Sequence, residues 1–117
     1  GFVYFFFNII AAFGREMLHK KDSLLSLIIF HKGKQHGIDI TAFNTDTISL
    51  VIAPDSSSNE YEIHKSLKDK GIDVLVIDHH EAEKTSEYAC VINNQLCDYP
   101  TKSLSGVGIV YKFCCYN

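Results

Sequence analysis

Asp78, His79 and His80 follow directly on the apolar run Val74, Leu75, Val76 and Ile77. A carboxylate with two imidazoles is a donor set that could hold a divalent ion; Mg²⁺ and Mn²⁺ favour carboxylate oxygen, and Mn²⁺ also accepts imidazole. A second carboxylate, Asp55, closes another apolar run made of Ile48, Leu50, Val51, Ile52 and Ala53 and ended by Pro54. A carboxylate can bridge two ions about 3.5–4 Å apart, and such a pair acidifies a shared water and clamps a phosphoryl group. The competing reading makes Asp78 a turn cap and the histidines surface polar groups. Spacing alone does not choose between the two.

The elements that must position these groups form one β-α-β unit. An unbroken apolar, mostly β-branched run is how a strand buried on both faces reads, and ligands of open α/β sheets gather at the carboxyl ends of such strands. A right-handed crossover sets the two strands side by side or one apart with level tips, so Asp55 and the 78–80 cluster would share a pocket. Between them, residues 59–70 predict a helix with Ile63 and Leu67 on one face. A serine of the Ser56, Ser57, Ser58 run would serve its N-cap, and the same free amides, with Ser56, could instead hold a phosphate oxygen beside Asp55. Gly71 is placed to close the helix before Ile72 and Asp73 start the central strand.

Elsewhere, residues 2–13 carry no charge but fall short of the roughly 20 residues a spanning helix needs, and no basic segment precedes them as in a secretory signal. They read as a core helix or strand, and residues 15–22 as a solvated helix end running into a turn. Residues 24–30 predict a strand. It leads into His31, Lys32, Gly33, Lys34, Gln35, His36 and Gly37, which read either as an exposed turn or as a phosphate or nucleic-acid contact. Residues 41–47 form a polar connector with room for a short helix. Beyond the cluster, residues 81–88 predict a polar loop, residues 89–92 a short strand, and residues 93–100 irregular chain. An apolar helix then opens at Ser103 or Ser105. Gly106 and Gly108 in its first turn weaken it, which suggests close packing on the sheet or near a ligand.

The 117 residues suit one domain or part of one, and 46% hydrophobic with 21% charged residues is ordinary for a soluble globular protein. A net charge of -3 argues against a nucleic-acid binder that works by bulk electrostatics, though not against a metal enzyme whose ions supply the positive charge. The chain begins Gly1-Phe2-Val3 and its single methionine is Met17, so a piece of a longer protein is expected. Cys90, Cys97, Cys114 and Cys115 contain no Cys-x-x-Cys pair. They read as small buried hydrophobes of a reducing, cytoplasmic protein rather than as a zinc site or a disulfide framework.

Taken in order, the Gly-containing basic loop, the Asp55 motif, residues 70–74, Asp78-His79-His80-Glu81, residues 89–93 and residues 104–112 resemble the DHH phosphoesterase superfamily. The similarity is greatest to RecJ-type single-strand-specific exonucleases, especially phage-encoded ones. It implies an α/β domain with a largely parallel sheet flanked by helices, here an incomplete DHH-type domain, with an atypical segment over 1–27 and the core over 28–117. By that resemblance Asp55 would bridge two Mn²⁺ (or Mg²⁺) ions and His79 would ligate one of them. His80 would face the scissile phosphate, Asp78 would orient the histidines, and His31, Lys32, Lys34 and His36 would lie near substrate. The implied activity is hydrolysis of single-stranded DNA from the 5′ end by a water activated between the metals, with single-stranded DNA as partner and no membrane.

The chain departs from the family pattern in several places. No Asp-x-Asp pair exists in residues 1–27, where the first family motif belongs. The last acidic ligand and the C-terminal substrate-binding domain would lie beyond residue 117. Ser57 stands where the family carries glycine, and Asn93-Asn94 where it carries Asn-Pro. The chain alone is therefore expected to be inactive. A DHH phosphodiesterase for oligonucleotides or cyclic dinucleotides, a pyrophosphatase, and a non-catalytic truncated remnant are the alternatives.

Overall fold

The computed structural model describes residues 37–116. The apolar run 2–13, the segments 15–22 and 24–30, and His31, Lys32, Lys34 and His36 lie outside the described residues. Within them the order is β1 (Leu50–Pro54), α1 (Tyr61–Asp69), β2 (Asp73–Asp78), β3 (Cys90–Asn93) and α2 (Gly106–Tyr116). The three strands form one parallel sheet in the order β1-β2-β3. The predicted α/β class with a parallel sheet is what the chain adopts.

Register decides where the strand tips fall. Pro54 pairs with Ile77 and Asp78 with Asn93, so all three strands end level. The Asp55 amide then donates to the Ile77 carbonyl at 2.8 Å, which carries the ladder one residue past β1. The β2–β3 crossover, residues 79–89, holds no helix, as its polar composition predicts.

Burial follows alternation along β2. Val74 and Val76 join Ala53, Leu67 and Ile72 in one core cluster, with Ile38, Ile40, Phe43, Ile48, Val51, Ile63, Ala89 and Val91 packed against it. Leu75 and Ile77 point by alternation to the opposite face. Helix α2 also packs on β2 and buries Ile109 and Val110.

Helix α1 closes as Gly71 suggests. With Lys70 as C-cap, the Gly71 amide donates to the Lys68 carbonyl at 2.9 Å and the Ile72 amide to the Leu67 carbonyl at 3.0 Å. These are the two bonds of a Schellman motif, and Gly71 sits at φ +75°. Ile72 and Leu67, which flank the motif, are both buried in the core cluster. Its buried face is His64 and Leu67, with Ile63 only half-buried.

Three expectations need correction. No serine caps α1: its N-cap is Glu60, which makes no side-chain cap bond. The Glu60 carboxylate instead accepts the Ile38 amide at 2.9 Å, and Gly37, at φ +124°, lies so close to it that a Cβ there would collide with it. Residues 41–47 form turns rather than a short helix. Asp39 takes the amide and hydroxyl of Thr41, at 2.9 and 2.6 Å, and Asn44 takes the Asp46 amide at 3.0 Å, so short polar side chains satisfy backbone that a helix would otherwise bond.

The cysteines are the third. Cys90, Cys97 and Cys115 are exposed, Cys114 is intermediate, and all four are free. Cys90 opens β3, Cys97 lies in the irregular loop and Cys115 in the last turn of α2, where little chain covers them. No helix among the described residues is long and apolar enough to cross a membrane.

Candidate metal centre

The level strand tips bring Asp55, Asp78, His79 and His80 together. One ligand atom from each lies within 4.8 Å of every other. Two carboxylates and two imidazoles at that spacing are a donor set that could hold a metal ion. His79 Nε2 stands 3.0 Å from Asp55 Oδ1, which joins the tips of β1 and β2 directly. The two imidazoles lie 4.4 Å apart between ring centres.

The two carboxylates live in different surroundings. Asp55 is about half exposed. Asp78 is 1% exposed and fully bonded. Its Oδ1 accepts the His79 amide at 2.8 Å, the His80 amide at 3.3 Å and His80 Nδ1 at 2.6 Å. Its Oδ2 accepts the Ser58 amide at 3.2 Å and the Ser58 hydroxyl at 2.7 Å. Burial by itself raises a carboxyl pKa, but the bonds from His80, Ser58 and the two amides outweigh it and hold Asp78 below its ordinary value. It is therefore ionised at neutral pH, and His80 Nδ1 must carry the proton between them.

The loop after β1 makes this possible by an unusual path. Asp55 lies at φ +60° and Ser57 at φ +79°. Left-handed backbone at non-glycine residues costs about 1–3 kcal/mol and persists where surrounding contacts enforce it. Here it turns Ser58 back onto Asp78. The position where the related family carries glycine, Ser57, is thus one whose backbone favours glycine.

Ser56, next to Asp55 in the chain, is buried, and its hydroxyl lies 3.2 Å from that of Ser57. Gly106, at the start of α2, is pressed against Asp55, and a Cβ there would collide with the Asp55 carboxylate. The glycine that weakens the first helical turn is the residue that lets the helix reach the site. Gly108 is under less constraint: a Cβ there would meet Leu104 Cδ2 at 3.2 Å.

Two contributors were not visible as site residues in the sequence. Asn93 Nδ2 donates to the Ser58 hydroxyl at 2.8 Å and to the His80 carbonyl at 2.9 Å. Ser58 is one of three consecutive serines, and nothing local marks it as the one that reaches β2. Asn94, in place of the family's proline, donates to the carbonyls of Thr101 and Lys102 at 2.9 and 3.1 Å. The Lys102 ammonium returns to the Asn94 and Cys97 carbonyls, so the irregular loop is closed by polar bonds.

A family model described as DHH family, N-terminal domain, matches residues 9–117, and the chain belongs to the DHH family. A protein of Bacillus phage SPbeta named single-strand DNA-specific exonuclease YorK is 49% identical over 83 residues, covering 70% of this chain and 14% of that protein. The single-stranded-DNA-specific exonuclease RecJ of Haemophilus influenzae is 37% identical over 67 residues, covering 55% of this chain and 12% of its own. RecJ of Bacillus subtilis is 33% identical over 67 residues, with 55% and 8% covered. The chain thus spans 14% or less of the length of these relatives. No solved structure gives a significant match.

Proposed function

We propose that this DHH-family chain supplies part of the metal centre of a Mn²⁺-dependent phosphodiesterase that hydrolyses single-stranded DNA from its 5′ end, with Mg²⁺ as the alternative ion. The observation that carries the reading is the convergence of Asp55, Asp78, His79 and His80 within 4.8 Å at the ends of adjacent parallel strands. The relatives named as single-strand-specific exonucleases support the choice of substrate.

In this reading the half-exposed Asp55 and the His79 imidazole would hold metal. A bound pair of divalent ions supplies acidification of a water and neutralisation of phosphoryl charge. Asp78 stays ionised and buried, and keeps His80 oriented. His80 is about half exposed, so its imidazole can meet the scissile phosphate. His31, Lys32, Lys34 and His36 remain proposed substrate contacts, as does the division into a segment over 1–27 and a core over 28–117. The fully buried donors are the ones that hold geometry, while the exposed ones carry the chemistry. A cytoplasmic location goes with DNA as substrate.

The test is Mn²⁺ binding to the 117-residue chain by calorimetry. Saturable binding that Asp55→Asn and His79→Ala each abolish is expected. Equal binding by the wild type and both variants would remove the basis of the proposal. The chain alone is expected not to cleave 5′-labelled single strands, because in this reading Asp55 and His79 are the metal ligands among the described residues and two ions need more.

A further inference from the structure

We propose that Ser58 and Asn93 are positioning residues that act on His80 through Asp78, locking its imidazole with the proton on Nδ1 and leaving Nε2 as the free nitrogen. The inference deepens the reading of the cluster as a metal and phosphate site and takes its purpose from that reading, but its geometry stands without it.

The direction of each bond from Gln95 to Asp78 is set by groups that can act in one way only, and the last one, from His80 Nδ1, follows from Oδ1 being an oxygen of an ionised carboxylate. The Gln95 amide can only donate, and it donates to Asn93 Oδ1 at 2.8 Å. The His80 carbonyl can only accept, and it takes Asn93 Nδ2 at 2.9 Å. These two fix which end of the Asn93 amide is nitrogen. The other Nδ2 hydrogen goes to the Ser58 hydroxyl at 2.8 Å, so the hydroxyl spends its own hydrogen on Asp78 Oδ2 at 2.7 Å. With Oδ2 also accepting the Ser58 amide, Oδ1 is the oxygen left for His80.

The consequence is a carboxylate that cannot rotate. Asp78 and Asn93 are register partners across β2 and β3, and both are buried, at 1% and 4% exposure. Ser58, at 2%, arrives from the loop after β1. The three strand tips are therefore tied by donors that converge on the Asp78 carboxylate, from Asn93 through Ser58 on one oxygen and from a single nitrogen of His80 on the other. Outer partners of this kind fix the tautomer and aim of a functional imidazole. Without the Ser58 hydroxyl, Oδ2 keeps only the Ser58 amide at 3.2 Å, and without Asn93 the hydroxyl is no longer held to donate to it, so the Asp78 carboxylate gains freedom to turn.

The experiment is ¹⁵N-resolved NMR of the histidine rings in the full 117-residue chain at one pH above the histidine range. In the wild type His80 is expected as the pure Nδ1–H form. In Ser58→Ala and Asn93→Asp its two nitrogen shifts should move toward each other as the tautomers mix, while His79 and His64 stay put and Ser58→Thr keeps the wild-type pattern. A wild-type His80 protonated on Nε2 overturns the proposal whether or not the variants fold. So does a His80 that stays purely Nδ1–H in both variants. Failure of Mn²⁺ to bind a chain whose His80 behaves as expected would remove the metal reading and leave the relay intact.

Discussion

Two buried polar side chains in this molecule are treated in opposite ways. Asp78, at the tip of β2, is 1% exposed and receives five hydrogen bonds from Ser58, His79 and His80. His64, midway along α1, is fully buried, and neither ring nitrogen has a hydrogen-bond partner among the described residues. Burial pushes the His64 pKa below its ordinary value, against the opposing pull of the Glu60 charge and the Ser57 backbone. Both pKa values are low, but for different reasons. At Asp78 the partners favour the charge and outweigh burial; at His64 burial outweighs the support that Glu60 and the Ser57 backbone give to the charge. A buried charge is tolerated when every lone pair is answered, and an unanswered polar group is a standing cost.

The largest expected effect comes from removing the answered group. Asp78→Ala should lower stability by about 3–5 kcal/mol, because the buried Ser58 hydroxyl and the amides of Ser58, His79 and His80 lose their acceptor and His80 its charged partner. Urea denaturation checks it, and a loss under ~1 kcal/mol would show that the network is not what holds the strand tips. Next comes the contact behind the site. Gly106→Ala should cost about 1–3 kcal/mol by overpacking and weaken Mn²⁺ binding at least ~10-fold, since the new methyl displaces either α2 or Asp55. Unchanged calorimetric affinity in a folded variant would mean that the helix yields and the carboxylate does not.

The unanswered group should respond in the other direction. His64→Leu is expected to raise stability by about 1–2 kcal/mol at neutral pH, as an apolar chain replaces an unsatisfied one. It should also remove a specific pH dependence. The folded pKa of His64 is depressed, so its contribution is intact above the unfolded value of about 6.5 and is lost as pH falls from there toward the folded value. Asp78, also depressed, has its window lower: its contribution is intact above about 3.9 and is lost as pH falls through the folded value. Stability measured against pH should therefore decline in two steps, and His64→Leu should erase only the upper one. Persistence of that step in the variant would move its origin to another histidine.

The smallest effect tests backbone rather than side chain. Ser57→Gly should stabilise by about 0.5–1 kcal/mol, because relief of the left-handed conformation at φ +79° exceeds the entropy that glycine loses on folding. Ser57→Ala, which keeps the strain, should give no such gain in thermal denaturation.

Much of this architecture is legible from local pattern. The apolar runs before Asp55 and Asp78, the glycine that ends α1 and the polar crossover after β2 all appear where residue type and spacing put them, because each rests on interactions within a few residues. The misreadings share one cause. The serine run 56–58 looks like a helix cap and the cysteines look like core, but α1 begins at Tyr61 with Glu60 as its N-cap, and the cysteines sit at element ends or, for Cys97, in the irregular loop. Capping and burial at such places depend on what the chain packs against, which residue type alone does not reveal. His64 shows the same limit: its place on the helix is readable, but its lack of partners is not.

By itself, then, the sequence determined which residues can do chemistry and that Asp55 and Asp78 end the two strands of one β-α-β unit. Tertiary structure alone decided that Ser58 and Asn93 serve the site and that α2 approaches Asp55 closely enough to demand Gly106. The reason is distance along the chain. Ser58 and Asp78 are 20 residues apart and Ser58 and Asn93 are 35 apart, so their bonds exist only because parallel register brings three strand ends level, and no local preference encodes that alignment.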